Sequence, residues 1–266
     1  MGQHGFARDM DFRLVSERED EMWFELKSSP ETLAKYPYKF TLRIGYRLEA
    51  NKIHVMWEVS GDDSQTMWFQ IGAHPAFYLP RFVYGGSAAC ASDSSRHSDP
   101  ESGAPNLAAS SASGSGAAGS GADSDFGRAG RGCFRLYGRG AEGVVPLESF
   151  RYIKVSEKQC TDISDVQERN TPGGVMPLDD HTFDIGAYII GDSQVCRVDL
   201  VSTTGLRCVS LEFDTPLVGL WAPSAKDVPF VCIEPWYGRC DRVGFTGEFS
   251  ERDCVNSLSP GQVFRA

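Results

Sequence analysis

The chain has 266 residues, enough to bury the core of one large domain, and its 41% hydrophobic and 11% aromatic content reads as a soluble globular protein. A formal charge of −10 disfavours nucleic acid or an anionic membrane as a partner, and no run approaches the roughly 18 apolar residues that a membrane span needs. The start Met1-Gly2-Gln3-His4 lacks the basic stretch and apolar core of a signal peptide, and Gly2 has no second membrane signal beside it, so a cytoplasmic location is expected.

Segments 12–16 and 22–27 read as two short strands around the charged tip Glu17-Arg18-Glu19-Asp20-Glu21. Phe40, Leu42, Ile44, Tyr46 and Leu48 then alternate with polar or small residues, and Ile53, Val55, Trp57 and Val59 continue that period after a short turn. This pattern predicts a β-hairpin with one buried face, with His54 as a surface residue on the other. A turn over 61–64 leads into a strand over 67–73.

From about 85 to 132 the composition changes to small and polar residues, as in Ala108-Ala109-Ser110-Ser111-Ala112-Ser113-Gly114. Such a stretch buries too little surface to offset its ordering entropy, so a disordered Gly/Ser/Ala-rich insertion is expected, with His97 solvated inside it. A phosphate cradle does not fit, because no strand-to-helix context or lysine follows the glycines.

Strand signals resume over 133–137, 151–155, 187–190, 195–202, 207–213, 218–222 and 230–234, and almost nothing sustains a 3.6-residue period. Many short strands broken by Gly, Pro, Asn and Asp indicate an all-β sandwich. One domain over 1–266, interrupted at about 85–132, is the expected organisation. Eight cysteines form no CxxC pair and no zinc-like Cys/His spacing; several fall in strand-like runs as small hydrophobes, which suits a reducing compartment. No metal ligand set is expected.

Two stretches carry chemistry. In Phe69-Gln70-Ile71-Gly72-Ala73-His74-Pro75-Ala76-Phe77 an apolar strand presents one histidine before a proline. In Val231-Cys232-Ile233-Glu234-Pro235-Trp236-Tyr237-Gly238 another presents one carboxylate before a proline. Proline cannot donate to a sheet ladder and biases the preceding residue toward extended backbone, so both groups are expected at strand ends. Imidazole titrates near neutrality, and partial burial raises a carboxyl toward the range of a general base. A structural, hydrogen-bonded histidine is the alternative for His74, and spacing alone cannot bring the two groups together.

These two segments resemble the signature segments of the aldose 1-epimerase (galactose mutarotase) superfamily, most closely its LacX-like branch. Gln3-His4-Gly5-Phe6-Ala7-Arg8-Asp9 is similar to that branch's HGFAR element, and Asp241-Arg242-Val243-Gly244-Phe245-Thr246-Gly247, running toward Leu258-Ser259-Pro260-Gly261-Gln262, is a fourth ordered match. The resemblance implies a large antiparallel β-sandwich of the galactose mutarotase-like type and acid/base interconversion of sugar anomers, with Glu234 as base and His74 as acid. Neither metal nor organic cofactor is implied, and a hexose is the implied partner, with the chain a monomer or weak homodimer. His4 and Arg8 match positions that hydrogen-bond sugar oxygens. Asp184 resembles an aspartate that binds sugar hydroxyls, or is a turn carboxylate. Trp236 and Tyr237 could stack on a pyranose or pack in the core. His181 reads as a loop residue. Because in that family the HGFAR element lies well inside the chain and members usually continue with another strand past the position of Phe264-Arg265-Ala266, this chain reads as truncated at both ends. Three other readings stay open: a hexose-6-phosphate epimerase, with Arg8, Arg239 and Arg242 as candidate phosphate ligands; a non-catalytic sugar-binding protein; and a structural remnant that no longer folds, suggested by the truncations.

Overall fold

Alternating apolar residues make the first half of the chain a sheet. The computed structural model describes residues 4–61, 65–79, 131–155, 160–223 and 229–266. After a short 3-10 turn at Ala7–Asp9 come β1 (Arg13–Glu17), β2 (Glu21–Lys27), β3 (Phe40–Glu49) and β4 (Lys52–Gly61). Between β2 and β3 a single helical turn, α1 (Pro30–Leu33), starts from a Ser29–Thr32 capping box with proline in its first turn. Then follow β5 (Met67–Phe69), β6 (Ile71–Gly72), β7 (Ala76–Tyr78), β8 (Gly132–Gly140), β9 (Gly143–Pro146), β10 (Ser149–Lys154), β11 (Gln167–Asn170) and β12 (Val175–Leu178). The chain closes with β13 (Tyr188–Ile190), β14 (Arg197–Val201), β15 (Arg207–Glu212), β16 (Leu217–Trp221), β17 (Phe230–Tyr237), β18 (Asn256–Leu258) and β19 (Val263–Arg265).

The strands form an antiparallel, all-β sandwich. One sheet runs β1-β2-β3-β4-β19; a second runs β11-β10-β13-β16-β17-β6 with β7 also on β17; a third runs β12-β8-β14-β15 with β9 on β8; β18 and β5 form a separate pair. The main core lies between the second and third sheets. Phe134, Leu136, Met176, Val198 and Leu200 meet Tyr188, Ile190, Val218, Leu220, Val231 and Ile233 there, and the period of two sends their neighbours to the opposite faces. A second cluster (Leu26, Phe40, Leu42, Val59, Met67, Phe69 and Leu258) fills the inside of the first sheet, with Phe6 and Phe264 packed against it.

One expectation needs correction. The β3–β4 hairpin buries its apolar face only at the Phe40, Leu42 and Val59 end; Tyr46, Leu48, Ile53 and Val55 are exposed because the ribbon extends past the core beneath it. His54 does lie on the outer face, where its Nε2 meets Glu49 at 2.9 Å. The insertion expected over 85–132 lies outside the described residues except for its end: Arg131 is buried, and Gly132 opens β8.

Gly132 is confined to glycine by geometry. Its φ is +107°, and a Cβ there would overlap the carbonyl oxygen of Val201 on the paired strand. Gly132→Ala is therefore expected to destabilise the fold by about 1–3 kcal/mol, read from urea midpoints. An unchanged midpoint would mean that the close approach is not kept in solution.

Candidate active site

The central strand of the site is β17. Val231 and Ile233 point into the main core, so Cys232, Glu234 and Trp236 project from the opposite face. The strand does not end at Glu234. It runs through Pro235 to Tyr237, which corrects the expectation of a strand-end carboxylate.

Proline is tolerated there because the neighbouring strand is interrupted. β7 pairs with Phe230, Val231 and Cys232, and β6 pairs with Trp236 and Tyr237, in one continuous register. Between them Ala73, His74 and Pro75 leave the ladder, and the Ala73 N–H donates to the Pro235 carbonyl at 3.0 Å. Pro235, having no N–H to give, sits opposite this gap. The register that places Gly72 against Trp236 and Ala76 against Cys232 leaves His74 facing Glu234. Their closest atoms, His74 Nε2 and Glu234 Oε1, are 3.4 Å apart.

The two groups differ in exposure. The Glu234 side chain is 4% exposed and that of His74 is 37% exposed. Burial raises the Glu234 carboxyl to about 8. His74 is held below its ordinary value, by burial first and then by the nearby charges of His4 and Arg8, against a backbone hydrogen bond that works upward. The Cys232 thiol is pushed up to about 12 by burial, with the Glu234 charge adding to it.

Other expected residues take varied positions. His4 lies against His74, ring centroids 5.1 Å apart and edge-on; His4 and Gly5 both have left-handed backbone and turn the chain just before the Ala7–Asp9 turn. Arg8 forms an exposed ion pair with Asp9 at 3.0 Å. Trp236 lies over backbone: a Cβ on Gly72 would come within 2.5 Å of its ring and one on Gly219 within 2.8 Å. Tyr237 is a packing residue, against Trp57 and Phe264, and its hydroxyl donates to the Asp214 carbonyl. Asp184 is exposed and pairs with His181 at 2.7 Å, so His181 is more than an idle loop residue.

Two site residues escaped sequence reading. Trp221 packs edge-on against His74 at 5.7 Å, and Cys232 stands one alternation before Glu234. The period of two along β17 was the signal for Cys232; Trp221 needed the pairing of β16 with β17, which sets it beside Cys232. Because Gly219 faces Glu234 across that ladder and leaves room for the Trp236 ring, Gly219→Ala is expected to displace the indole. An altered tryptophan fluorescence maximum at unchanged circular dichroism would register the shift; an identical spectrum would contradict it.

The three candidate phosphate ligands are engaged with carboxylates. Arg239 and Arg242 both bind Asp253, at 2.7 and 2.6 Å, and Arg8 holds Asp9. Among the described residues, no helix is long and apolar enough to cross a membrane.

Comparison with known proteins fits this arrangement. Residues 1–89 match the family described as aldose 1-epimerase. Protein LacX of Lactococcus lactis subsp. lactis, in plasmid and chromosomal forms, is 38% identical over 79 residues, a stretch covering 29% of this chain and 26% of LacX. The match thus spans about a quarter of the curated relatives. A galactose mutarotase related enzyme from Lactobacillus acidophilus superposes with a TM-score of 0.67 at 25% identity, over 100% of this chain and 72% of that one. A galactose mutarotase-like protein from Lactobacillus casei ATCC 334 gives 0.66 at 22% identity, over 100% and 74%, which speaks for the fold. The N-terminal sequence match and the shared sandwich together support the aldose 1-epimerase superfamily, LacX-like branch, for this chain.

Proposed function

We propose that this protein is a mutarotase-type isomerase that interconverts the α and β anomers of a free hexose. The observation that carries the reading is the 3.4 Å approach of His74 to Glu234, on the face of β17 turned away from the core. Anomer exchange needs one group to take the proton of the anomeric hydroxyl and another to protonate the ring oxygen. The ring opens, the aldehyde turns, and closure reverses both transfers. Glu234 serves as base and His74 as acid, the carboxyl passing the proton that burial makes it hold to the imidazole before a sugar hydroxyl donates to it. His4, Arg8, Asp184 and Trp236 remain the proposed sugar-binding residues, and a cytoplasmic location goes with this reading.

A free sugar is favoured over a sugar phosphate because Arg8, Arg239 and Arg242 are each held by a carboxylate. An always-charged guanidinium already committed to Asp253 or Asp9 would have to leave it to bind phosphate. A purely sugar-binding protein would not need a carboxyl buried against a histidine, given the desolvation that this burial entails.

Polarimetry of purified protein on freshly dissolved α-D-glucose and α-D-galactose, with a phosphosugar assay alongside, tests the proposal. Approach to equilibrium faster than the spontaneous rate on a free hexose is expected. Acceleration only with the phosphosugar would transfer the reading to that substrate, and no acceleration on any sugar would overturn it.

A further inference from the structure

We propose that His74, Cys232 and Glu234 form a binding site for a thiophilic divalent cation of the zinc class, and that the bound ion shuts off the sugar reaction. One imidazole nitrogen, one sulfur and one carboxylate oxygen from these residues all lie within 4.8 Å of one another. In a tetrahedral zinc site with arms of about 2.0–2.2 Å to nitrogen and oxygen, two such ligands stand about 3.3–3.6 Å apart. The 3.4 Å between His74 Nε2 and Glu234 Oε1 is already that edge. Sulfur, at about 2.3 Å from zinc, lengthens its own edges only slightly, so Cys232 completes a three-ligand face by a small side-chain adjustment.

The donor set selects the ion. Calcium and magnesium take oxygen ligands, whereas a mixed nitrogen, sulfur and oxygen set suits zinc. Three protein ligands leave a fourth position, for which His4, edge-on to His74 at 5.1 Å, is the adjacent imidazole. Burial adds to the case. Cys232 is 1% and Glu234 3% exposed, so a cation held here meets little competition from bulk water for its sulfur and oxygen ligands. Coordination forms bonds to the Cys232 sulfur, the Glu234 oxygen and the His74 nitrogen, and releases to solvent both the Cys232 thiol proton and the proton held by the Glu234–His74 pair. The ion then occupies the His74 nitrogen and the Glu234 oxygen that anomer exchange requires. This inhibitory consequence rests on the mutarotase reading; the binding itself does not.

The test uses the full chain kept reduced by a phosphine. Zn²⁺ is titrated against a chromophoric chelator, and Co²⁺ is followed by its near-ultraviolet thiolate charge-transfer band, neither of which requires a sugar. One equivalent bound is expected, with the cobalt band present in the parent and absent from both Cys232→Ser and Cys232→Ala, carried together in case one fails to fold. His74→Gln should weaken Zn²⁺ by at least about tenfold, in line with loss of a direct ligand. Mutarotation should fall with Zn²⁺ occupancy and return with EDTA. A cobalt band that survives removal of Cys232, or no stoichiometric binding, would overturn the site; full mutarotation with Zn²⁺ bound would overturn the inhibition. Absence of mutarotation in metal-free protein counts against the function alone, since the cobalt spectrum stands without it.

Discussion

Glu234→Gln is expected to bring mutarotation down to the spontaneous background, a loss of about a hundred- to ten-thousand-fold in the catalysed rate. The amide keeps the shape of the side chain on β17 but cannot accept the anomeric proton at neutral pH. Since Glu234 is a carboxyl 3% exposed, and burial disfavours its charged form, the neutral amide should leave the thermal midpoint equal to or above that of the parent. Rates by polarimetry and midpoints by circular dichroism are read on the same preparations. A variant as fast as the parent removes Glu234 from the reaction; a slow variant with a collapsed midpoint would show a structural role instead.

The largest stability effect expected among polar substitutions comes from Asp199. It is 2% exposed on β14, bound by Arg197 through Nε at 2.8 Å and Nη2 at 2.7 Å, with the Ser210 hydroxyl donating at 2.5 Å. Burial works to raise its carboxyl, but the hydrogen bonds from Arg197 and Ser210, with the Arg197 and Arg207 charges, outweigh it and hold it below the usual range. Asp199→Asn turns an amide N–H toward the guanidinium and leaves a half-buried charge without its partner. Breaking such pairs costs about 3–5 kcal/mol when both groups are buried, and the 23% exposure of Arg197 places this case toward about 2–4.

The pH dependence has a definite sign. A carboxyl depressed in the folded state contributes its full stability above its unfolded pKa, near 4, and loses it as pH falls toward the folded value. The parent should therefore lose stability below about pH 4 more steeply than Asp199→Asn. Parallel acid-dependent slopes, or a midpoint within about 0.5 kcal/mol of the parent at neutral pH, would show that the network is replaceable by water.

Much of this architecture is legible in the chain by itself, because strand signals are local. Alternation at Phe40 to Leu48 and Ile53 to Val59, and the short apolar runs after Cys133, depend only on residues two apart, and they correspond to β3, β4 and the strands of the main core. The two proline-flanked segments mark His74 and Glu234 for the same local reason. Burial along an element was not legible: Tyr46, Leu48, Ile53 and Val55 keep the period yet lie past the end of the core.

Only the tertiary structure decided what faces what. Glu234 and His74 meet because one register spans both β6 and β7, with the Ala73–Pro75 interruption set against Pro235, and register is a property of paired strands. The pairing of β16 with β17 sets Trp221 beside Cys232, and so brings to the site an indole that the chain spacing did not show. Asp253 lies close to Arg239 and Arg242 in sequence as well, yet the geometry of the loops was needed to show that one carboxylate holds both guanidiniums. Sequence patterns determined the strands and the chemical groups they carry; long-range pairing determined which groups share a site, because contacts between distant segments leave no periodic trace in either one.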